Sequence, residues 1–287
     1  MSYLGRLQAR VTAVGSCLCL GIDPDPATLP RGLAAGLAGV EHYGRLVLEV
    51  AGQYAAAVKV NLAFFEAFGS AGLAALERLR RAVPDDLPFI ADAKRSDIGS
   101  TSRRHAAALF DALGADAVTA NPYLGRDALE PFLARSDRFT YVLCRTSNPG
   151  AGEVQNLDVG GRPLYLRVAE LVAHWAGGEH NVGLVVGATA PVEMAGIRAA
   201  VPGLPFLVPG VGAQAGDIER VLADGPATAW PASRLPAGGL LVNVSRAISQ
   251  VVAEWPAGPG GDDAAADALA GAAADWARRL HVRIAAG

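Results

Sequence analysis

The chain has 287 residues, 51% of them apolar, and a formal net charge of −3. That balance supplies one sizeable buried core and leaves no electrostatic footprint for nucleic acid or an anionic membrane. Three cysteines and five scattered histidines make neither a disulfide framework nor a zinc site or His-based triad, so the cysteines are expected as small core hydrophobes.

At the N-terminus, Arg6 and Arg10 precede VTAVGSCLCLGI and loosely imitate a signal peptide. No small-residue cleavage site follows, and the run ends in Asp-Pro-Asp-Pro, so a first strand explains it better. Short apolar runs then recur along the chain: CLCLGI (17–22), AAVKVN (56–61), PFIADAK (88–94), ADAVTAN (115–121), FTYVLC (139–144), VGLVVG (182–187), PFLVPG (205–210) and GLLVNV (239–244). Near-continuous apolar runs of this length are the mark of parallel strands buried on both faces. Helical patterns lie between them, at 41–54, 73–83, 163–176 and 217–223. Eight strand–helix units over this length predict a single-domain (β/α)8 barrel, a TIM barrel, over residues 1–255, with a doubly wound sheet as the alternative. PAGPGG (256–261) reads as a linker, and the remainder to 287 as a closing helix packed on the barrel. No run of about eighteen uninterrupted apolar residues occurs, so no membrane span is expected and the protein is read as cytoplasmic.

Polar residues gather where the strands end. Asp23, Lys59, Asp92, Lys94, Asn121, Ser147 and Asn243 lie at or just past the C-terminal ends of separate runs, the end at which a barrel carries its chemistry. Segment 145–163, long, polar and glycine-rich, follows the fifth strand on that side and reads as a lid. Segment 224–239 precedes the eighth strand and belongs to the opposite, stabilising face.

The most informative stretch is ADAKRSDIGST (91–101). Lys59 and Lys94 are the only lysines beside twenty-three arginines. Strand alternation puts Asp92 and Lys94 on one face, Asp97 follows on the turn, and Lys59 ends the neighbouring run. The expected product is a tight cluster of two ammonium and two carboxylate groups. Carboxylates favour the charged form of a neighbouring lysine, which disfavours Lys94 as a Schiff-base nucleophile and suits it to stabilising and protonating a carbanion. A purely structural ion network is the competing reading, but it stabilises weakly and this chain otherwise uses arginine for pairing. A second constellation, LPFLVPGVGAQAGDIERVL (204–222) with Gln214 and GLLVNVSRAI (239–248) with Arg246, occupies the seventh and eighth units, where barrels commonly hold a phosphate.

DAKRSDIGST, with the upstream lysine of VKVN, resembles the Asp-x-Lys-x-x-Asp signature of the orotidine 5′-phosphate decarboxylase family. LGIDPDP, TSNPGA, LVPGVGAQ and NVSRAI resemble that family's other motifs in the same order, in the form of its bacterial branch with the larger chain. The resemblance covers most of residues 15–250. It implies a carboxy-lyase of pyrimidine (UMP) biosynthesis that needs no metal or organic cofactor and converts orotidine 5′-phosphate to uridine 5′-phosphate and CO2. By position, Lys59, Asp92, Lys94 and Asp97 would form the catalytic array. Asp23 and Lys59 would hold the ribose, Ser147 the pyrimidine, and Gln214 and Arg246 the phosphate, with Pro209 of LVPGVGAQ in the substrate site. The implied assembly is a homodimer in which Asp97 and Thr101 reach the partner's site. Nearby alternatives are a metal-dependent sugar-phosphate decarboxylase or synthase, a Schiff-base aldolase, and a non-catalytic nucleotide-binding protein.

Overall fold

The computed structural model describes residues 1–177, 180–212, 216–256, 258 and 260–282. Eight parallel strands close into a barrel in sequence order. They are β1 (Leu18–Ile22), β2 (Ala57–Asn61), β3 (Phe89–Arg95), β4 (Ala117–Ala120), β5 (Phe139–Arg145), β6 (Val182–Val186), β7 (Phe206–Pro209) and β8 (Leu241–Val244). Pairing of Leu18 with Val242 and Cys19 with Asn243 joins first to last. That closure removes both sheet edges and excludes the doubly wound alternative. Each strand lies within about two residues of its predicted run, because burial on both faces demands the unbroken apolar stretches that mark it in the sequence.

The N-terminus departs from the strand-only reading. Residues Tyr3–Val14 form a helix, opened by Ser2, whose side chain accepts from the Gly5 N–H. It ends at Gly15, which adopts φ 65°, the left-handed closing turn that glycine reaches without a Cβ clash. VTAV therefore ends a helix, and β1 starts only at Leu18. Tyr3, Leu7 and Val11 repeat at four-residue intervals on the buried face. The Tyr3 ring packs on Phe139 at 4.9 Å between centroids, and its hydroxyl lies 3.1 Å from that of Tyr141. Arg6 pairs with Asp116, and Arg10 with Asp86 at 2.5 Å and the Ala55 carbonyl at 3.0 Å. The two arginines that imitate a signal peptide thus tie a helix to the loops beneath the barrel.

Segment 224–239 folds as short turns, Ala232–Arg234 and Pro236–Gly239, and packs against this N-terminal helix. The Thr228 N–H donates to the Pro202 carbonyl at 2.9 Å. The segment therefore lies on the N-terminal face, away from the strand ends that carry the polar residues. The helix Gly261–Arg279 turns Ala265, Leu269, Ala273 and Trp276 inward and packs along the helix Gly36–Ala51. Among the described residues, no helix is long and apolar enough to cross a membrane.

Candidate active site

The ends of β2 and β3 bring Lys59, Asp92 and Lys94 together. Lys59 Nζ donates to Asp92 Oδ2 at 2.9 Å, and Lys94 Nζ donates to Asp92 Oδ1 at 2.7 Å. Asp23, just past β1, places Oδ1 3.9 Å from Lys59 Nζ. Lys59 is only 4% exposed, whereas the Lys94 side chain is about half exposed towards the mouth. Burial alone would drive the Lys59 ammonium to lose its proton, but the charges of Asp92 and then Asp23 outweigh it and push Lys59 above the usual lysine range. Burial likewise favours the neutral acid at Asp92, yet Lys59 and Lys94 hold its carboxyl well below the usual carboxylate range. Asp92 and Lys59 therefore persist as an ion pair throughout the neutral range.

Simple strand alternation does not account for the Asp92–Lys94 contact. The β3–β4 register jumps from Ala91 opposite Val118 to Arg95 opposite Ala120. Three β3 residues, 92 to 94, thus face one β4 residue, Thr119. Lys94 takes φ 48°, a left-handed conformation that costs a non-glycine residue about 1–2 kcal/mol. Its N–H donates to Thr119 Oγ1 at 3.0 Å, and the same hydroxyl donates to Asp92 Oδ1 at 2.7 Å. A bulge, rather than a flat strand, aims both side chains at one point.

The array forms one wall of a cavity of about 570 Å³. Ser147, Pro209 and Arg246 line the same cavity, as do Asp23, Asn61 and Asn243. Gly21 makes room for the side chains at the end of β8 and just past it, since a Cβ on it would meet Ser245 Cβ at 2.7 Å and Asn243 Oδ1 at 3.0 Å. Asp23 Oδ1, Asn243 Oδ1 and Ser245 Oγ are buried without a hydrogen-bond partner among the described residues. Buried polar atoms in that state are costly unless something pairs them, so this wall is suited to a ligand rich in hydroxyl groups. The 145–163 segment lies beside the opening, where Thr146, Asn148 and Gln155 join Ser147 in lining the cavity. Gln155, at the end of the short helix Ala151–Gln155, accepts from the Thr146 N–H at 2.9 Å and donates to Thr146 Oγ1 at 2.8 Å.

Two predicted residues stand apart from the array. Asp97 accepts from the Ile98 N–H at 2.7 Å and faces His105, and Thr101 is exposed on the helix Gly99–Ala106. Neither lines the cavity of its own chain. Within one chain the second carboxylate near Lys59 is Asp23, not Asp97, because Asp97 follows the strand end and the backbone has already turned outward. Gln214 lies outside the described residues. Thr119 escaped sequence reasoning, although a hydroxyl inside the apolar run ADAVTAN was a usable signal. Gln155 carried none, being one polar residue in a polar segment.

Among the described residues, no group of three or more His, Cys, Asp or Glu side chains could hold a metal ion. The three cysteines are buried and unpaired, and burial pushes each thiol up to about 12, which makes them inert core residues.

A closed parallel barrel with a lysine–carboxylate array at the C-terminal ends of its strands is the framework of a barrel enzyme. The family resolves further on comparison with known proteins. A family model described as "Orotidine 5′-phosphate decarboxylase / HUMPS family" matches residues 16–251, and the chain belongs to that family. A relative from Herpetosiphon aurantiacus named orotidine 5′-phosphate decarboxylase is 47% identical over 247 residues, 86% of this chain and 88% of the relative. The solved structure of Leishmania donovani OMP decarboxylase is similar at a TM-score of 0.77 and 39% identity, covering 97% of this chain and 99% of that one. Leishmania donovani UMP synthase is similar at a TM-score of 0.78 and 40% identity, and the match covers 95% of this chain but 56% of that longer one.

Proposed function

We propose that this chain decarboxylates orotidine 5′-phosphate to uridine 5′-phosphate and CO2 without a cofactor, at the cavity that holds Lys59, Asp92 and Lys94. The observation that carries the reading is the Lys59–Asp92–Lys94 array itself, two cations sharing one buried carboxylate at the wall of a nucleotide-sized cavity. In the reaction the bond from pyrimidine C6 to its carboxylate breaks, CO2 leaves, and the electron pair stays on C6. The Lys94 ammonium stabilises that charge and then gives C6 a proton, after which water reprotonates the amine. A fixed cation already in place needs no reorganisation when the charge develops. Asp92 holds Lys94 in position beside the departing carboxylate.

Family position supports the remaining roles. Asp23 and Lys59 hold the ribose hydroxyls, which would supply a hydrogen-bond donor to Asp23 Oδ1. Ser147 contacts the pyrimidine, Pro209 the substrate wall, and Arg246 with Gln214 the phosphate. The rate gain required is on the order of 20 kcal/mol, more than one ammonium supplies. Phosphate binding far from the reacting bond therefore contributes by closing the 145–163 segment over the substrate and excluding water. The active unit is a homodimer in which Asp97 and Thr101 enter the partner's site. In its support, Ile98, next to Asp97, is 61% exposed and presents apolar surface there.

A spectrophotometric assay with orotidine 5′-phosphate, run with and without EDTA, tests the function. Equal CO2-releasing activity in both is expected. Activity lost with EDTA points to the metal-dependent alternative, and uridine 5′-phosphate binding without turnover points to a binding protein. Arg246→Ala is expected to raise KM by about 10- to 100-fold, the loss of one charge-assisted contact to phosphate. An unchanged KM removes Arg246 from the site.

A further inference from the structure

We propose that Thr119 is a positioning residue for the reaction, holding the Lys94 ammonium at its reactive setting through both its backbone and its carboxylate partner. The inference rests on the reading of Lys94 as the proton donor and extends it to a β4 residue.

Thr119 is 2% exposed and sits opposite the three-residue excursion of β3. Its one hydroxyl uses both of its capacities. It accepts the Lys94 N–H at 3.0 Å and donates to Asp92 Oδ1 at 2.7 Å. Lys94 holds a left-handed backbone, φ 48°, which reverts to an extended form unless its surroundings over-determine it. The hydroxyl is the side-chain contact that fixes that amide. It also ties the backbone of Lys94 to the carboxylate that Lys94 Nζ itself contacts at 2.7 Å. The path from Lys94 N to Thr119 Oγ1, Asp92 Oδ1 and Lys94 Nζ is a closed ring of three hydrogen bonds, and Thr119 supplies the only member from another strand. Valine has nearly the shape of threonine but breaks two of these contacts. It leaves the Lys94 N–H without its acceptor and removes one of the two donors at Asp92 Oδ1.

The same ring explains why a threonine occupies an otherwise apolar strand. Thr119 lies between Val118 and Ala120, both fully buried, and a hydroxyl there is tolerated because both of its hydrogen-bond capacities are met. An amine displaced by even about 1 Å loses on the order of 100-fold in rate.

The test compares Thr119→Val and Thr119→Ser with wild type. For Thr119→Val, kcat is expected to fall about 10- to 100-fold, with KM and the Kd for uridine 5′-phosphate within about twofold. Thr119→Ser, which keeps the hydroxyl, is expected to recover kcat to within about threefold. Amide hydrogen exchange at Lys94 reads the contact without turnover, and in Thr119→Val it should quicken at least tenfold while the amides of β6 and β7 are unchanged. A valine variant with wild-type kcat and wild-type Lys94 exchange overturns the proposal. So does a variant in which kcat, nucleotide binding and melting temperature fall together and serine restores none of them, because that is the signature of a merely structural residue. A wild type that fails to decarboxylate orotidine 5′-phosphate overturns the functional reading instead, and the exchange measurement still decides the Lys94–Thr119 contact.

Discussion

Lys94→Ala is expected to lower kcat for orotidine 5′-phosphate by about 10⁴-fold or more, with the melting temperature little changed. In the proposed mechanism the size follows from losing two contributions at once, the fixed cation facing the developing carbanion and the acid that protonates it. The fold should tolerate the change because the Lys94 side chain is half exposed and Asp92 keeps Lys59 and Thr119 as partners. Alanine in the left-handed backbone setting adds no new clash. A residual rate within tenfold of wild type, measured on folded protein, removes Lys94 from the chemistry. The same variant reads the proposed assembly. Mixed with Asp97→Ala subunits, it should regain part of the activity, since each hybrid dimer holds one site with neither lesion. No recovery after verified subunit exchange rejects a site shared between subunits.

Asp92→Asn is expected to cost about 3–5 kcal/mol of stability at pH 7, because it strands a buried ammonium that had a charged partner. The pH dependence carries a definite sign. In the wild type Asp92 is held below its ordinary 3.8, so its contribution is present above that value and is lost as pH falls below it. Lys59 is held above its ordinary 10.5, so its contribution is present below that value and is lost as pH rises past it. Wild-type stability from this pair is therefore flat between about pH 5 and 9. In the variant, burial becomes the dominant influence on Lys59 and lowers it. The variant should then gain stability as pH rises toward the unfolded lysine's ordinary 10.5, above which the lysine is neutral in both folded and unfolded states. Urea melts at pH 7 and pH 10 should show the gap to wild type narrowing. A gap that is constant, or that widens, contradicts the account of Lys59 as a buried cation held by Asp92.

The two experiments separate energetic roles that the geometry merges. Lys94, half exposed, is placed to act on a ligand. Lys59, buried behind the same carboxylate, is placed to keep Asp92 ionised and oriented. A symmetrical ion network serving only the barrel would bury both lysines to a similar degree.

The eight strands, their parallel order and the gathering of Asp23, Lys59, Asp92 and Lys94 at their C-terminal ends were legible in the sequence. Burial on both faces leaves apolar runs such as VGLVVG and GLLVNV that few other structures need, and a polar residue ending such a run has few places to go but the mouth. The rarity of lysine beside abundant arginine marked Lys59 and Lys94 by residue type alone. Other features were decided in three dimensions. Closure of β1 onto β8 brought Asp23, Asn243 and Arg246 to the cavity that holds Lys94, from opposite ends of the chain. The helix Tyr3–Val14 took its place because its buried face meets Phe139 and Tyr141, residues more than a hundred positions away. The β3 bulge, the left-handed turn at Lys94 and the choice of Thr119 to bridge them depend on register between two strands. Register is set by pairing across the barrel, which no local pattern in a single strand encodes.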